Sequence, residues 1–113
     1  MRRNLMATPV NIVIDQGASY TNTITLNNDD GTLKDLTDYT VTAHIRRSYN
    51  TNTYTAFTCV KNDLIGDITF SLTPVETNAL KSGRYVYDLE IASSAETLRV
   101  IEGIITVTPG VTR

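Results

Sequence analysis

The sequence predicts an all-β domain, a two-sheet antiparallel β-sandwich of about seven strands with one short helical turn. The chain carries 19 threonines, 10 isoleucines and 9 valines in 113 residues, and β-branched side chains fit a pleated sheet better than a crowded helix. Apolar and polar residues alternate in short runs, and turn-forming residues separate the runs about every 8 to 15 residues. This length is enough for one hydrophobic core.

Four strands are expected in the first half of the chain, over 10–14, 20–26, 39–45 and 54–61. Alternating apolar residues define the first three runs, and the polar cluster that ends at Gly31 favours a turn after the second. Only the short polar stretch 48–53 separates the third strand from the fourth. We therefore expect these two strands to pair as a hairpin.

The second half continues with three strands and the helical turn. In the fifth strand Ile68, Phe70 and Leu72 face the core. Thr73 is a helix cap followed by Pro74, and Leu80 packs under the turn. The sixth strand covers 83–91 and the seventh 97–108. Within the seventh strand the apolar residues change from even-numbered positions (Leu98, Val100) to odd-numbered ones (Ile105, Val107). This change suggests a β-bulge at Gly103, which lies between them.

The start of the sixth strand resembles the tyrosine corner of immunoglobulin-like domains. Tyr85 takes the corner position and Tyr87 the position of the second framework cysteine, although Lys81 stands where an aspartate is usual. This resemblance implies an Ig-like topology. The expected organisation is an N-terminal arm over 1–9, the sandwich over 10–108 and a C-terminal tail over 109–113.

The charge balance argues against nucleic acid and membrane partners. The formal net charge is only −2, from 10 basic and 12 acidic residues, so no strong field attracts phosphates or anionic lipids. No apolar run spans a bilayer, and the first residues lack the apolar core of a signal peptide. Cys59 is the only cysteine, which excludes an internal disulfide and suits a reducing cytosol.

Residues that suggest catalysis or metal binding have simpler explanations. By strand parity Phe57 and Cys59 face the core and His44 points the other way, so a Cys/His pair is not expected. The aspartates over 29–38 fit turns and lack EF-hand spacing. Asp88 and Glu90 share a strand face, where an exposed polar surface explains them better than a glycosidase pair. We expect no enzyme activity, no catalytic or metal-binding residues and no cofactor.

The polar tip between the third and fourth strands is the predicted interface. Arg46, Arg47, Tyr49 and Tyr54 gather there, and Arg and Tyr are enriched in protein interfaces. An ordinary solvated hairpin is the simpler alternative. A carbohydrate-binding module that recognises host glycans is a further alternative, based on Tyr49 and Tyr54 near the tip.

Several segments in order resemble small β-sandwich structural proteins of tailed bacteriophages, including the amino-terminal domain of baseplate upper proteins. The similar pieces are 16–20 (QGASY), 30–32 (DGT), 35–41 (DLTDYTV), 45–47 (IRR), 82–89 (SGRYVYDL) and 102–109 (EGIITVTP). The resemblance implies a non-enzymatic virion component, assembled in the host cytoplasm and repeated by the symmetry of the particle. It implies no catalytic residues.

The expected function is therefore a docking or adaptor subunit in the tail, neck or baseplate. It would contact other virion structural proteins in a symmetric, multi-copy assembly, through sheet edges, hairpin tips and its ordered ends. A capsid decoration protein is the alternative within the same class.

Overall fold

The computed structural model describes residues 8–28 and 30–111 and confirms the predicted all-β sandwich. The described residues form nine strands and one short helix. These are β1 (Thr8–Pro9), β2 (Ile12–Asp15), β3 (Tyr20–Thr25), β4 (Thr40–Arg46), β5 (Thr55–Ala56), β6 (Thr58–Asn62), β7 (Asp67–Leu72), α1 (Pro74–Asn78), β8 (Gly83–Ala92) and β9 (Thr97–Thr108). The count exceeds seven because the predicted fourth strand is divided into β5 and β6, and because β1 lies in the predicted N-terminal arm.

The larger sheet has the order β1-β9-β8-β4-β5, and β2 also pairs with β9. The smaller sheet has the order β3-β7-β6. Pairing is antiparallel throughout except that β1 and β2 run parallel to β9. One edge of the larger sheet is therefore formed by two short strands, β1 and β2, which pair with successive parts of β9.

The core lies between the two inner faces, where every second residue of a strand is buried, as the pleat of a sheet requires. Ile68, Phe70 and Leu72 of β7 face inward, and Leu80 lies beneath the helix, both as predicted. The larger sheet contributes buried residues from β2, β4, β8 and β9, among them Ile14, Ile45, Tyr87, Leu89 and Ile105.

The predicted fourth strand was wrong as a single element. Thr55 and Ala56 pair with β4 as the expected hairpin, but the chain then crosses to the smaller sheet and continues as β6. Phe57 lies at the crossing: its N–H donates to Ala43 O at 3.0 Å and its ring is 5% exposed. Changing sheets at this residue places its ring between the two layers, where apolar burial stabilises the crossing.

The bulge predicted at Gly103 lies instead at Val100. Leu89 pairs with Ile101 whereas Glu90 pairs with Arg99, so Val100 is the extra residue and both it and Ile101 are buried. Gly103 serves another purpose, because a Cβ there would lie 2.3 Å from the Val10 carbonyl oxygen. The glycine permits the backbone at Val10, between β1 and β2, to run close beside β9.

The helix has the predicted capping arrangement. Thr73 Oγ1 accepts the Glu76 N–H at 3.2 Å, and Glu76 Oε1 accepts the Thr73 N–H at 2.8 Å, which forms a capping box. Thr77 is fully buried and its Oγ1 donates to Ala18 O at 2.8 Å. The helix is thereby fixed to the turn that precedes β3.

The tyrosine corner is present in the form the sequence suggested. Tyr85 Oη donates to Lys81 O at 2.7 Å, four residues upstream. Tyr87 Oη donates to Val10 O at 2.5 Å. The two tyrosines thus tie the start of β8 to the preceding loop and to the opposite edge of the sheet.

The predicted N-terminal arm lies mostly outside the described residues, since 1–7 are not among them. Its last two residues, Thr8 and Pro9, pair with β9. From the predicted tail, Gly110 N–H donates to Gln16 Oε1 at 3.3 Å, and 112–113 lie outside the described part. No helix in that part is long and apolar enough to cross a membrane.

Candidate functional site

The outer face of the larger sheet carries long charged and aromatic side chains. Strand pairing arranges them in rows across β4, β8 and β9. The rows are Thr42–Glu90–Arg99, His44–Asp88–Glu102 and Arg46–Val86–Ile104. Neighbouring side chains on one face of a sheet lie about 5 Å apart, so members of a row are in contact range.

The tip of the β4–β5 hairpin is held over this face by Arg46. Its Nη1 donates to Thr51 O at 2.7 Å and to Asn52 O at 3.0 Å. Tyr54 stacks on His44 with ring centroids 3.8 Å apart and planes inclined by 16°. The Arg46 guanidinium carbon lies 5.0 Å from the Tyr54 centroid, so a cation–π contact joins the loop, the stack and the strand.

Between the tip and the last two strands lies a shallow open depression of about 310 Å³, here called the outer groove. Its floor consists of His44, Asp88, Glu90, Arg99 and Glu102, and Arg46 and Tyr49 stand at the side of the hairpin tip. Tyr49 is 80% exposed. The groove is therefore polar at its floor and aromatic at one side.

Arg99 organises the carboxylates of the groove. Its Nε lies 3.3 Å from Asp88 Oδ2 and its Nη1 lies 3.2 Å from Glu102 Oε1. Both contacts are partly exposed, so each stabilises the fold by at most about 1 kcal/mol. Their main effect is that two of the three carboxylates in the groove, those of Asp88 and Glu102, already have an ion-pair partner within the protein. In the described part of the chain the Glu90 carboxylate forms no ion pair and no hydrogen bond.

The four residues of the predicted interface do not form one surface. Arg46, Tyr49 and Tyr54 lie together around the outer groove. Arg47 points away from them, with its guanidinium carbon 4.7 Å from the Tyr85 centroid and its Nη1 3.4 Å from Arg84 O. Arg47 thus covers the tyrosine corner at the end of the core. A protein interface at these residues stays a prediction.

His44 and Cys59 are separated as strand parity indicated. His44 lies on the outer face of the larger sheet, and Cys59 lies on the inner side of the smaller sheet beside the core. Burial raises the pKa of the Cys59 thiol, which favours the unreactive protonated form. These two side chains do not form a nucleophile and base pair.

The aspartates in the loops bind their own turns. Asp30 Oδ1 accepts the backbone N–H and the hydroxyl of Thr32, and Asp35 Oδ1 does the same for Thr37. These hydrogen bonds lower the pKa of both carboxyls. Among the described residues, no three His, Cys, Asp or Glu side chains are grouped to hold a metal ion. Asp29 lies outside the described residues.

A second exposed surface was missed by the sequence analysis. The tip of the β6–β7 hairpin exposes Leu64 by 75% and Ile65 by 39%, next to Val60 at 63% on the outer side of β6. We call this group of three residues the apolar tip. The signal was available in the sequence, since two large apolar residues stand in a short turn beside Gly66, where polar residues are usual.

The comparisons with known proteins show no family for this chain. No protein-family model matches the chain, and no curated protein sequence matches it. A solved structure of a family 123 glycoside hydrolase from Clostridium perfringens is similar, with a TM-score of 0.45 and 12% sequence identity. The similarity covers 93% of this chain but only 24% of that one. A likeness at this level carries no argument about activity.

Proposed function

We propose that this chain is a non-enzymatic structural protein of a bacteriophage particle, a docking or adaptor subunit in the tail, neck or baseplate. The ordered series of segments similar to phage β-sandwich proteins supports the phage assignment. The observation that carries the docking role is the apolar tip, where Leu64, Ile65 and Val60 present apolar surface to solvent. Large apolar side chains exposed close together are typical of protein contact sites.

The apolar tip is fixed in place by main-chain hydrogen bonds at its base. Leu36 N–H donates to Asp63 O at 2.8 Å, and Leu26 N–H donates to Gly66 O at 2.8 Å. Because the turn is held by two neighbouring segments, its conformation is already set before a partner binds. Such preorganisation reduces the entropy that is lost on association.

The edges of the smaller sheet are less suited to strand addition than the tip is to docking. On β3 the Thr23 N–H is bound by Asn22 Oδ1 at 2.9 Å. On β6 the Lys61 ammonium turns inward and donates to Leu36 O at 2.9 Å. Inward-pointing lysines and side-chain caps protect edge strands from pairing. These contacts favour docking through the hairpin tip rather than through β-augmentation at the smaller sheet.

The proposed partners are other virion structural proteins, met in the host cytoplasm during assembly of a symmetric, multi-copy ring. In phage carrying Leu64→Asp together with Ile65→Asp, we expect incorporation of the protein into purified particles to fall at least about tenfold. Val75→Asp is the matched control, because Val75 is 80% exposed but lies on the helix. Circular dichroism verifies that both variants fold.

Cross-linking of wild-type particles, followed by mass spectrometry, identifies the neighbour. Cross-links to tail, neck or baseplate proteins in fixed stoichiometry support the proposal, and cross-links to the capsid surface support a decoration protein instead. A wild-type protein that is absent from particles contradicts the virion role. A doubly substituted protein that enters particles normally contradicts docking through the apolar tip.

A further inference from the structure

The outer groove is distinct from the proposed docking surface. The apolar tip belongs to the smaller sheet, whereas the groove lies on the outer face of the larger one. Its volume of about 310 Å³ is at the lower end of the range for small-molecule sites, roughly 300–1,000 Å³. The groove therefore suits a small ligand or a short stretch of a polymer.

The charges of the groove favour an uncharged ligand. Its three carboxylates face two guanidinium groups, so the local balance is slightly negative and an anion is not attracted. A cation would compete with Arg99, which already contacts Asp88 and Glu102. Asp88 and Glu102 are thus paired within the protein, and Glu90 is the groove carboxylate without an ion pair among the described residues. The interactions that an uncharged ligand can add are hydrogen bonds and packing.

The hydrogen-bonding groups of the floor match a ligand that has many hydroxyls. Glu90 offers a carboxylate that forms no ion pair within the described residues, and Arg99 beside it offers N–H donors. A hydroxyl both donates and accepts, so it can bridge a carboxylate and a guanidinium. Hydrogen bonds to charged groups are stronger than neutral ones.

The aromatic side of the groove supplies a packing surface. Tyr49 is 80% exposed and stands beside the floor, and a tyrosine combines an apolar ring with a polar hydroxyl. The His44–Tyr54 stack and the Arg46 hydrogen bonds support the tip that carries Tyr49. A sugar ring, with an apolar C–H side and a hydroxyl rim, has the complementary chemistry.

We propose that the outer groove binds a neutral saccharide unit. Tyr49 packs against the C–H side of the sugar ring, and Glu90 and Arg99 hydrogen-bond its hydroxyls. Tyr54 serves as support rather than as a platform, because one side of its ring is covered by His44. The binding is independent of docking through the apolar tip.

The test is an NMR titration of the isotope-labelled protein with neutral hexasaccharides of glucose, galactose, mannose or N-acetylglucosamine at millimolar concentrations. We expect at least one of them to shift the resonances of groove residues. Tyr49→Ala should weaken that binding about tenfold, which corresponds to about 1.4 kcal/mol. Glu90→Gln should weaken it about threefold or more, because a charged acceptor is replaced by a neutral one.

Two control variants separate the groove from the general surface. Val75→Ala removes an equally exposed side chain on the helix, and Asp38→Asn removes an exposed carboxylate in a loop; both should bind as the wild type does. The same titration is repeated with a heparin fragment and with a hexa-arginine peptide. Binding of either charged probe at the groove, without any neutral sugar, overturns the proposal.

The proposal is also overturned if no neutral saccharide shifts the groove residues, or if Tyr49→Ala leaves the affinity unchanged. These outcomes leave the virion role untouched, because the Leu64→Asp and Ile65→Asp changes test a different surface. Conversely, a protein that binds saccharide through Tyr49 but never enters particles would contradict the docking function alone.

Discussion

The two outer faces of the sandwich differ in how their side chains use hydrogen bonds. On the smaller sheet short hydroxyl side chains bind one another across strands: Thr23 Oγ1 lies 2.8 Å from Thr69 Oγ1, and Thr25 Oγ1 donates to Asp67 Oδ1 at 2.7 Å. On the larger sheet long charged side chains reach over neighbours and leave a depression between them. Paired short side chains satisfy one another's hydrogen bonds, whereas the long side chains of mixed charge leave Glu90 without an ion pair among the described residues.

This difference does not extend to the inner faces, which meet the same requirement. Both sheets bury alternate apolar residues against each other, and Phe57, Phe70 and Tyr87 join them through ring contacts of 5.2 and 6.2 Å. Burial therefore requires apolar residues at the inward-facing positions of each strand, whereas the outward-facing positions can hold many residue types. The expectation is that inner substitutions alter stability and outer ones alter binding.

The largest effect is expected from Phe70→Ala on the inner face of the smaller sheet. Phe70 is 1% exposed, and removing a fully buried ring lowers the free energy of unfolding by about 3–5 kcal/mol through lost transfer energy and the cavity that remains. Val60→Ala, on the outer face of the same sheet, should change it by less than about 0.5 kcal/mol. Equal effects of the two in urea unfolding would break the distinction between the faces.

Gly103→Ala in β9 should have the next largest effect, about 2 kcal/mol or more, because the new Cβ would lie 2.3 Å from a backbone oxygen of the first strand segments. Gly31→Ala is the matched control. Gly31 has a φ of +88° but no neighbouring atom within 4 Å of the added Cβ, so only backbone strain of about 1 kcal/mol is expected. A loss at Gly103 no larger than that at Gly31, in thermal unfolding, would contradict the close approach of Val10 to Gly103.

The sequence predicted the features that depend on local pattern. Alternation identified the inward residues of β7, and Thr73 followed by Pro74 identified the helix cap, because each rests on neighbours within a few residues. The features it missed depend on distant contacts. The crossing at Phe57 requires aromatic partners on three other strands, and the role of Gly103 requires the carbonyl of Val10, far away in the chain.

The candidate site was predicted only in part for the same reason. Arg46, Tyr49 and Tyr54 are close in sequence, and their grouping follows from one hairpin. Asp88, Glu90, Arg99 and Glu102 join them only through the strand order of the larger sheet. Arg47 was grouped with them by sequence proximity, but it lies just beyond the end of β4 and its side chain turns to the ring of Tyr85.

The smallest effect at neutral pH is expected from Tyr87→Phe. This change tests the hydrogen bond that joins β8 to Val10 on the inner face of the larger sheet. Loss of the hydroxyl hydrogen bond should lower the free energy of unfolding by about 1 kcal/mol. Burial, and to a smaller extent the nearby Tyr20, raises the pKa of Tyr87 well above its usual value of 10.0. The unfolded chain therefore ionises first as the pH rises.

Stability from this raised pKa is complete below about pH 10 and declines above it, by about 1.4 kcal/mol for the first pH unit. The advantage of the wild type over Tyr87→Phe, present at pH 8, should thus disappear near pH 11. Burial also raises the pKa of Tyr20 in the smaller sheet. The wild type and Tyr87→Phe therefore both lose some free energy of unfolding at high pH because of Tyr20. Urea unfolding at pH 8 and pH 11 measures the difference; an advantage that persists unchanged at pH 11 would show that the Tyr87 hydroxyl is not shielded between the sheets.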